Sequence, residues 1–164
     1  MSALKVGETA PGFDLKAIDG KNHSLYDGLK NGPVLVAFFK VTCPTCQYTF
    51  PFLERLYQQL RSSEAQIWGI AQDGAKDSQR FAREAGVTFP VLIDDNPYPV
   101  SREYRLEVVP SIFLIAPDGS VAIESEGFDK RGLVAMQQSL ARTLSAPVGA
   151  LFQASEKIPE YKPG

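Results

Sequence analysis

VLVAFFKVTCPTCQYTFPFLERLYQQL, Val34 to Leu60, decides how the rest of the chain is read. It opens with an unbroken apolar run rich in β-branched and aromatic residues (Val34, Val36, Phe38, Phe39), which suits a buried strand. The run stops at Cys43-Pro44-Thr45-Cys46, and behind it Phe52, Leu53, Leu56, Tyr57 and Leu60 return at helical spacing. A strand thus feeds straight into a helix that carries two cysteines at its first turn. The first N–H groups of a helix have no intrahelical partner and the dipole adds partial positive charge, so a thiolate there is stabilised over the thiol. Cys43 is therefore the expected nucleophile. Cys46 lies about one turn deeper on nearly the same face, within reach of Cys43 through a small side-chain movement. The pair reads as a switchable dithiol.

Composition favours chemistry over stapling. At 164 residues and 44% apolar content the chain fits one domain whose core needs no covalent support. Its only two cysteines both sit in this motif, and a disulfide across so short a spacer would constrain little of the unfolded chain. A formal charge of −2 with mixed signs offers no basic field for nucleic acid or an anionic membrane. There is no internal repeat, low-complexity tract or phosphate-binding glycine loop. Met1 to Lys5 lacks the charged start and apolar segment of a signal peptide, so a cytoplasmic location is expected, although an exported form already trimmed of its signal would read the same.

Along the chain, Gly7 to Gly12 is turn material. Phe13, Leu15 and Ala17 alternate with polar neighbours up to Asp19-Gly20, and His23 to Leu25 resumes beyond it, which predicts an N-terminal hairpin. His23, the sole histidine, reads as a solvated surface residue. After the cysteine helix come a buried strand over Gln66 to Ala71, with Trp68 in the core, and an amphipathic helix from Lys76 to Ala85 ending at Gly86. A strand over Val87 to Ile93 and a short helix from Val100 to Tyr104 follow. Ser111 to Ala116 and Ser120 to Glu124 flank Pro117-Asp118-Gly119 as an antiparallel hairpin, and Lys130 to Leu144 closes as a helix. The fold class is α/β, a mixed central sheet with helices on both faces. Residues 1–145 form the domain. Residues 146–164 mix Leu151, Phe152 and Ile158 with three prolines and are expected to dock as a tail on the body or on a neighbouring chain.

Two prolines give the pattern a family. Pro51 falls inside the cysteine helix, where it removes one backbone bond and should bend it, and Pro110 stands just before the strand SIFLI. With Cys43-Pro44-Thr45-Cys46 after a buried strand and the opening Val6 to Leu15, the chain resembles the thioredoxin superfamily. More narrowly it is similar to the redoxin group related to AhpC/TSA, which includes peroxiredoxins and the TlpA/ResA-like thiol-disulfide oxidoreductases. The resemblance covers most of the chain. It implies a thioredoxin-like fold with an αβ unit inserted between Cys46 and Pro110, and a cis peptide that sets Pro110 beside the cysteines. Pro110 thereby joins Cys43 and Cys46 at the reacting centre, while Val109, Pro44 and Thr45 become the substrate-facing positions. Val109 would turn its backbone N–H and C=O outward for an extended substrate segment to pair with. Thr45 reads as a spacer that tunes redox poise.

Departures from the family are informative. Ala37 stands where thioredoxin carries a buried acid, Thr42 replaces the usual tryptophan, and Thr49 occupies the place of a glutamate common in TlpA/ResA relatives. No carboxylate base for Cys46 is evident, and Lys40 reads as a solvated cation or as electrostatic support for the Cys43 thiolate. The expected reaction is exchange with protein or small disulfides, Cys43 attacking and Cys46 resolving, in either direction. It requires an electron donor but no metal and no organic cofactor. Oligomeric state stays open. Peroxiredoxin-like peroxidase action is the main alternative, yet the PxxxTxxC approach is unmet, since Lys40 or Cys43 stands at the threonine place. A metal carrier would need further ligands after the cysteines, and the sole histidine lies before them. A binding module that keeps its cysteines without turnover is the third reading.

Overall fold

The computed structural model describes residues 2–164. A hairpin of β1 (Asp14–Lys16) and β2 (Asn22–Ser24) leads into a short helix α1 (Leu25–Leu29), then the central strand β3 (Val34–Phe39) and the cysteine helix α2 (Pro44–Leu60). A single 3-10 turn, Arg61–Ser63, precedes β4 (Gln66–Ala71), α3 (Ala75–Ala85), β5 (Val91–Ile93) and α4 (Pro99–Glu103). The chain finishes with β6 (Ser111–Ile115), β7 (Val121–Glu126), β8 (Phe128–Asp129), α5 (Lys130–Thr143) and β9 (Tyr161–Lys162).

The main sheet has the order β5-β4-β3-β6-β7, with β3, β4 and β5 parallel and β6 and β7 antiparallel. Every residue of β3 is buried, because both faces of this strand are covered. Leu35, Ala37 and Phe39 pack with Phe50, Leu53 and Leu56 of α2 and with the inner faces of α3 and α5. Val34, Val36 and Phe38 pack instead with α1, α4 and the N-terminal segment. The fold is the expected mixed sheet with helices on both faces. Among the described residues no helix is long and apolar enough to cross a membrane.

Local competition corrects several sequence-based expectations. Leu25 starts α1 instead of ending a strand, because the Ser24 hydroxyl accepts the Asp27 N–H as a helix cap. The strand expected over Val87 to Ile93 shrinks to its last three residues. Val87 donates to Ala82 O in the C-terminal cap of α3, and Thr88 donates its N–H to the Glu54 carboxylate at 2.8 Å, so neither backbone is free for the ladder. His23 is half-buried and meets the Trp68 ring edge-on at 5.2 Å between centroids, since its place in β2 opposite Leu15 turns it toward the core. Trp68 itself is buried.

The last nineteen residues follow the cysteine side of the body. Leu151 is buried, Phe152 packs against Phe52 and Phe128, and Arg55 holds both the Leu151 carbonyl (2.9 Å) and the Glu156 carboxylate (2.7 and 3.0 Å). The path ends in β9, antiparallel to β8.

Candidate active site

Cys43 is the N-cap of α2 and Pro44 its first helical residue, a position where a missing N–H costs nothing. The cap is made by the sulfur itself. Cys43 Sγ accepts the Cys46 N–H at 3.1 Å, using a donor that the helix leaves unpaired. Cys43 is half-buried and Cys46 wholly buried beneath it, so the two thiols differ in reach although they are three residues apart. Burial pushes the Cys46 thiol well above the ordinary range, helped by its hydrogen bond with Cys43 and, to a smaller degree, by the negative charge of Asp73. Cys46 therefore stays protonated at neutral pH.

The loop before β6 completes the centre. The Val109–Pro110 peptide is cis, and the Cys43 thiol donates to Val109 O at 3.5 Å. Ser111 Oγ donates to Val108 O at 2.7 Å and Gly127 N to Pro110 O at 2.8 Å, so the loop is tied on both sides of the proline. Cys43, Cys46 and Val109–Pro110 thus come together from α2 and the start of β6. One expectation is corrected: the Val109 carbonyl does not face freely outward, because the Cys43 thiol and the backbone of Gly164 both lie against it. A hollow of about 200 Å³ opens beside Val109, lined by Lys40, Gln72, Leu106, Glu107 and Val108.

Thr45 is half-buried and donates its hydroxyl to Pro163 O at 2.6 Å. Pro44 is exposed. Thr49 turns its hydroxyl back to Thr45 O at 2.7 Å and is buried within α2. Lys40 holds its ammonium 5.6 Å from the centre of the Tyr98 ring, while its carbonyl accepts the Cys43 N–H.

The sequence reading overlooked Asp73, which lies just past β4 and accepts the Val41 N–H at 2.9 Å. That bond ties the loop after β4 to the loop before Cys43, and it brings the carboxylate close enough to bear on Cys46. A carboxylate just beyond a buried parallel strand, next to the strand that leads to the cysteines, was the available clue, because sites in α/β sheets gather at those strand ends. Residues 161–164 were also missed as part of the site, and no periodicity marks them.

A half-buried N-cap thiol, a buried second thiol and a cis-proline loop on this sheet define a thioredoxin-like redox protein. A sequence profile of the AhpC/TSA family matches residues 6–123. The chain belongs to the AhpC/TSA family and is an oxidoreductase. It is 31% identical over 121 residues to the thiol-disulfide oxidoreductase ResA of Geobacillus thermodenitrificans, covering 73% of this chain and 68% of the relative. It is also 31% identical to peroxiredoxin Bcp of Escherichia coli, over 97 residues covering 58% of this chain and 62% of the relative. In three dimensions it is similar to the thioredoxin domain of a thiol-disulfide oxidoreductase from Bacteroides vulgatus, with a TM-score of 0.73, 22% identity, and coverage of 84% of this chain and 98% of that one.

Proposed function

We propose that the protein exchanges its Cys43–Cys46 dithiol with disulfides of other proteins, Cys43 attacking and Cys46 resolving. The observation that carries this reading is the asymmetry of the two sulfurs: one reaches the surface at the helix N-terminus, and the other is buried under it. The Cys43 thiolate attacks one substrate sulfur, a mixed disulfide forms, and the other substrate sulfur leaves as a thiolate. Cys46 then gives its proton to the departed substrate thiolate or to water and attacks Cys43 Sγ, which breaks the mixed disulfide and releases the second substrate thiolate. Two electrons pass to the substrate and an internal disulfide remains, to be reduced by a separate thiol donor. In a reducing cytosol this direction is favoured.

Peroxide is the competing oxidant, because the chain also resembles peroxiredoxin Bcp. The exchange reading is preferred because Lys40 and Cys43 occupy the positions of the peroxide-orienting threonine.

The deciding experiment is trapping. Cys46→Ser should accumulate a mixed disulfide through Cys43, and Cys43→Ser should accumulate none. Equal trapping by the two variants, or alkylation of Cys46 ahead of Cys43 at neutral pH, would overturn the assignment. Oxidation of the reduced protein by hydrogen peroxide orders of magnitude faster than that of free cysteine would favour the peroxidase.

A further inference from the structure

The surface beside Cys43, where the exchange reading would lay an extended substrate, already carries a strand of this chain. Tyr161–Lys162 pairs antiparallel with Phe128–Asp129, Lys162 opposite Phe128 and Tyr161 opposite Asp129. One step further, Pro163 O takes the Thr45 hydroxyl from between the two cysteines. Gly164 then lies so close to Val109 that any side chain on it would run into the Val109 carbonyl. Gly127 is matched to the same path, for a side chain there would strike the Lys162 carbonyl and come within 3.1 Å of Gly164 N. The Lys162 ammonium stands 4.7 Å from the centre of the Tyr48 ring, on the second turn of the cysteine helix. Four separate parts of the rim, Thr45, Tyr48, Val109 and Phe128, are therefore engaged by one stretch of four residues.

The occupant is shallow. Tyr161 is 55% exposed, Pro163 and Gly164 are exposed, and no apolar side chain of residues 161–164 is buried. Its hold consists of a two-residue ladder, one hydroxyl bond and one cation over a ring, of which a competing backbone could replace the ladder and the hydroxyl bond. Cys43 meanwhile keeps partial exposure, and none of residues 161–164 lines the hollow beside Val109.

We propose that residues 161–164 are a self-docked strand that selects substrates by size: they hold extended polypeptides away from Cys43 until displaced, while small disulfides react past them. The proposal rests on the exchange activity put forward above. A substrate protein would add its own strand to β8 and the Val109 loop in place of β9, so its apparent affinity falls in proportion to the fraction of molecules with the groove open.

The test compares the full chain with a variant lacking residues 161–164 and with Lys162→Glu, each reduced beforehand, freed of excess donor and followed through a single turnover. Insulin serves as the protein disulfide and 5,5′-dithiobis(2-nitrobenzoate) as the small one. With the docked state favoured by about ten to one, deletion should speed insulin reduction about tenfold and leave the small disulfide within about twofold. Lys162→Glu should move the same way by less. A synthetic peptide of residues 160–164 added to the deletion variant should slow insulin reduction again. Unchanged insulin reduction, or equal acceleration of both substrates, overturns the strand's role and leaves exchange intact. If neither substrate is turned over by any form, the exchange reading fails. The strand is then judged by titrating the same peptide into the deletion variant and following the amide resonances of Thr45, Gly127 and Lys130, where the absence of shifts overturns it.

Discussion

The two ends of the chain are both irregular and both are clasped by an arginine, yet they are attached in different ways. At the N-terminal end Ala3, Leu4 and Ala10 are buried, Leu4 at 2% exposure, and the backbone bonds to β7 through Gly7 N to Val121 O and Val121 N to Glu8 O, and to the turn before it through Ala10 N to Gly119 O. Arg105 grips both oxygens of Glu8 at 2.8 and 2.9 Å and the Ser2 carbonyl at 2.9 Å. At the C-terminal end the buried anchor is Leu151, and the Arg55 clasp on Glu156 is the last ion pair with α2 before the chain runs, half-exposed, to Thr45 and Val109. The first end is a piece of core with an irregular backbone. The second is a core anchor followed by a shallow strap, and the strap finishes on the dithiol. The lesson is that a clasp alone does not say whether a segment can move; the burial beyond the clasp does.

The largest expected effect is on stability. Leu4→Ala should cost about 2–5 kcal/mol in urea unfolding, the usual range for truncating a buried leucine, while Tyr161→Ala should stay within about 0.5 kcal/mol, as for exposed positions. Equal losses would break the comparison.

The clasps come next. Arg55→Ala and Arg105→Ala should each lower stability by about 1 kcal/mol or less, because both ion pairs are part-exposed. Their local consequences should differ. The Lys130 N–H is bonded to Glu160 O, so its hydrogen exchange reports whether the C-terminal strap is down. It should quicken in Arg55→Ala and stay unchanged in Arg105→Ala, whereas the Gly7 N–H should remain protected in both. Quickened exchange at Gly7 in Arg105→Ala would show the N-terminal end to be as detachable as the other.

The smallest effect is a dependence on acid. The Arg55 guanidinium, with the Gln153 N–H, holds the Glu156 carboxyl down to about 2. A depressed carboxyl contributes stability that is fully present above its unfolded value near 4.3 and lost as pH falls through the folded value. Lys130 protection relative to a central-strand amide should therefore hold above about pH 5 and fall progressively as pH drops from about 4 to 2. Protection that stays level between about pH 4 and 2, or that is lost entirely above about pH 5, would mean that Glu156 does not hold the strap.

Much of the centre was legible in the chain itself. The apolar run of β3, the break at Cys43 and the helical return at Phe52 and Leu53 place a dithiol at a helix N-terminus, because strand burial and helix amphipathicity are written in local periodicity. Pro110 could be set beside it only through the family resemblance. The chain misled where two local structures compete for one backbone group, as at Leu25 and Val87, since the winner depends on a cap or on a partner from another element.

Sequence alone determined the position and order of the two sulfurs, the alternation that builds the sheet, and the family. Tertiary structure alone decided that Asp73 comes to bear on Cys46 and that residues 161–164 lie across Thr45 and Val109. The physical reason is range. A helix or strand advertises its buried face every few residues, whereas a hydroxyl from residue 45 meeting a carbonyl from residue 163 leaves no period in the sequence and exists only once the body between them has packed.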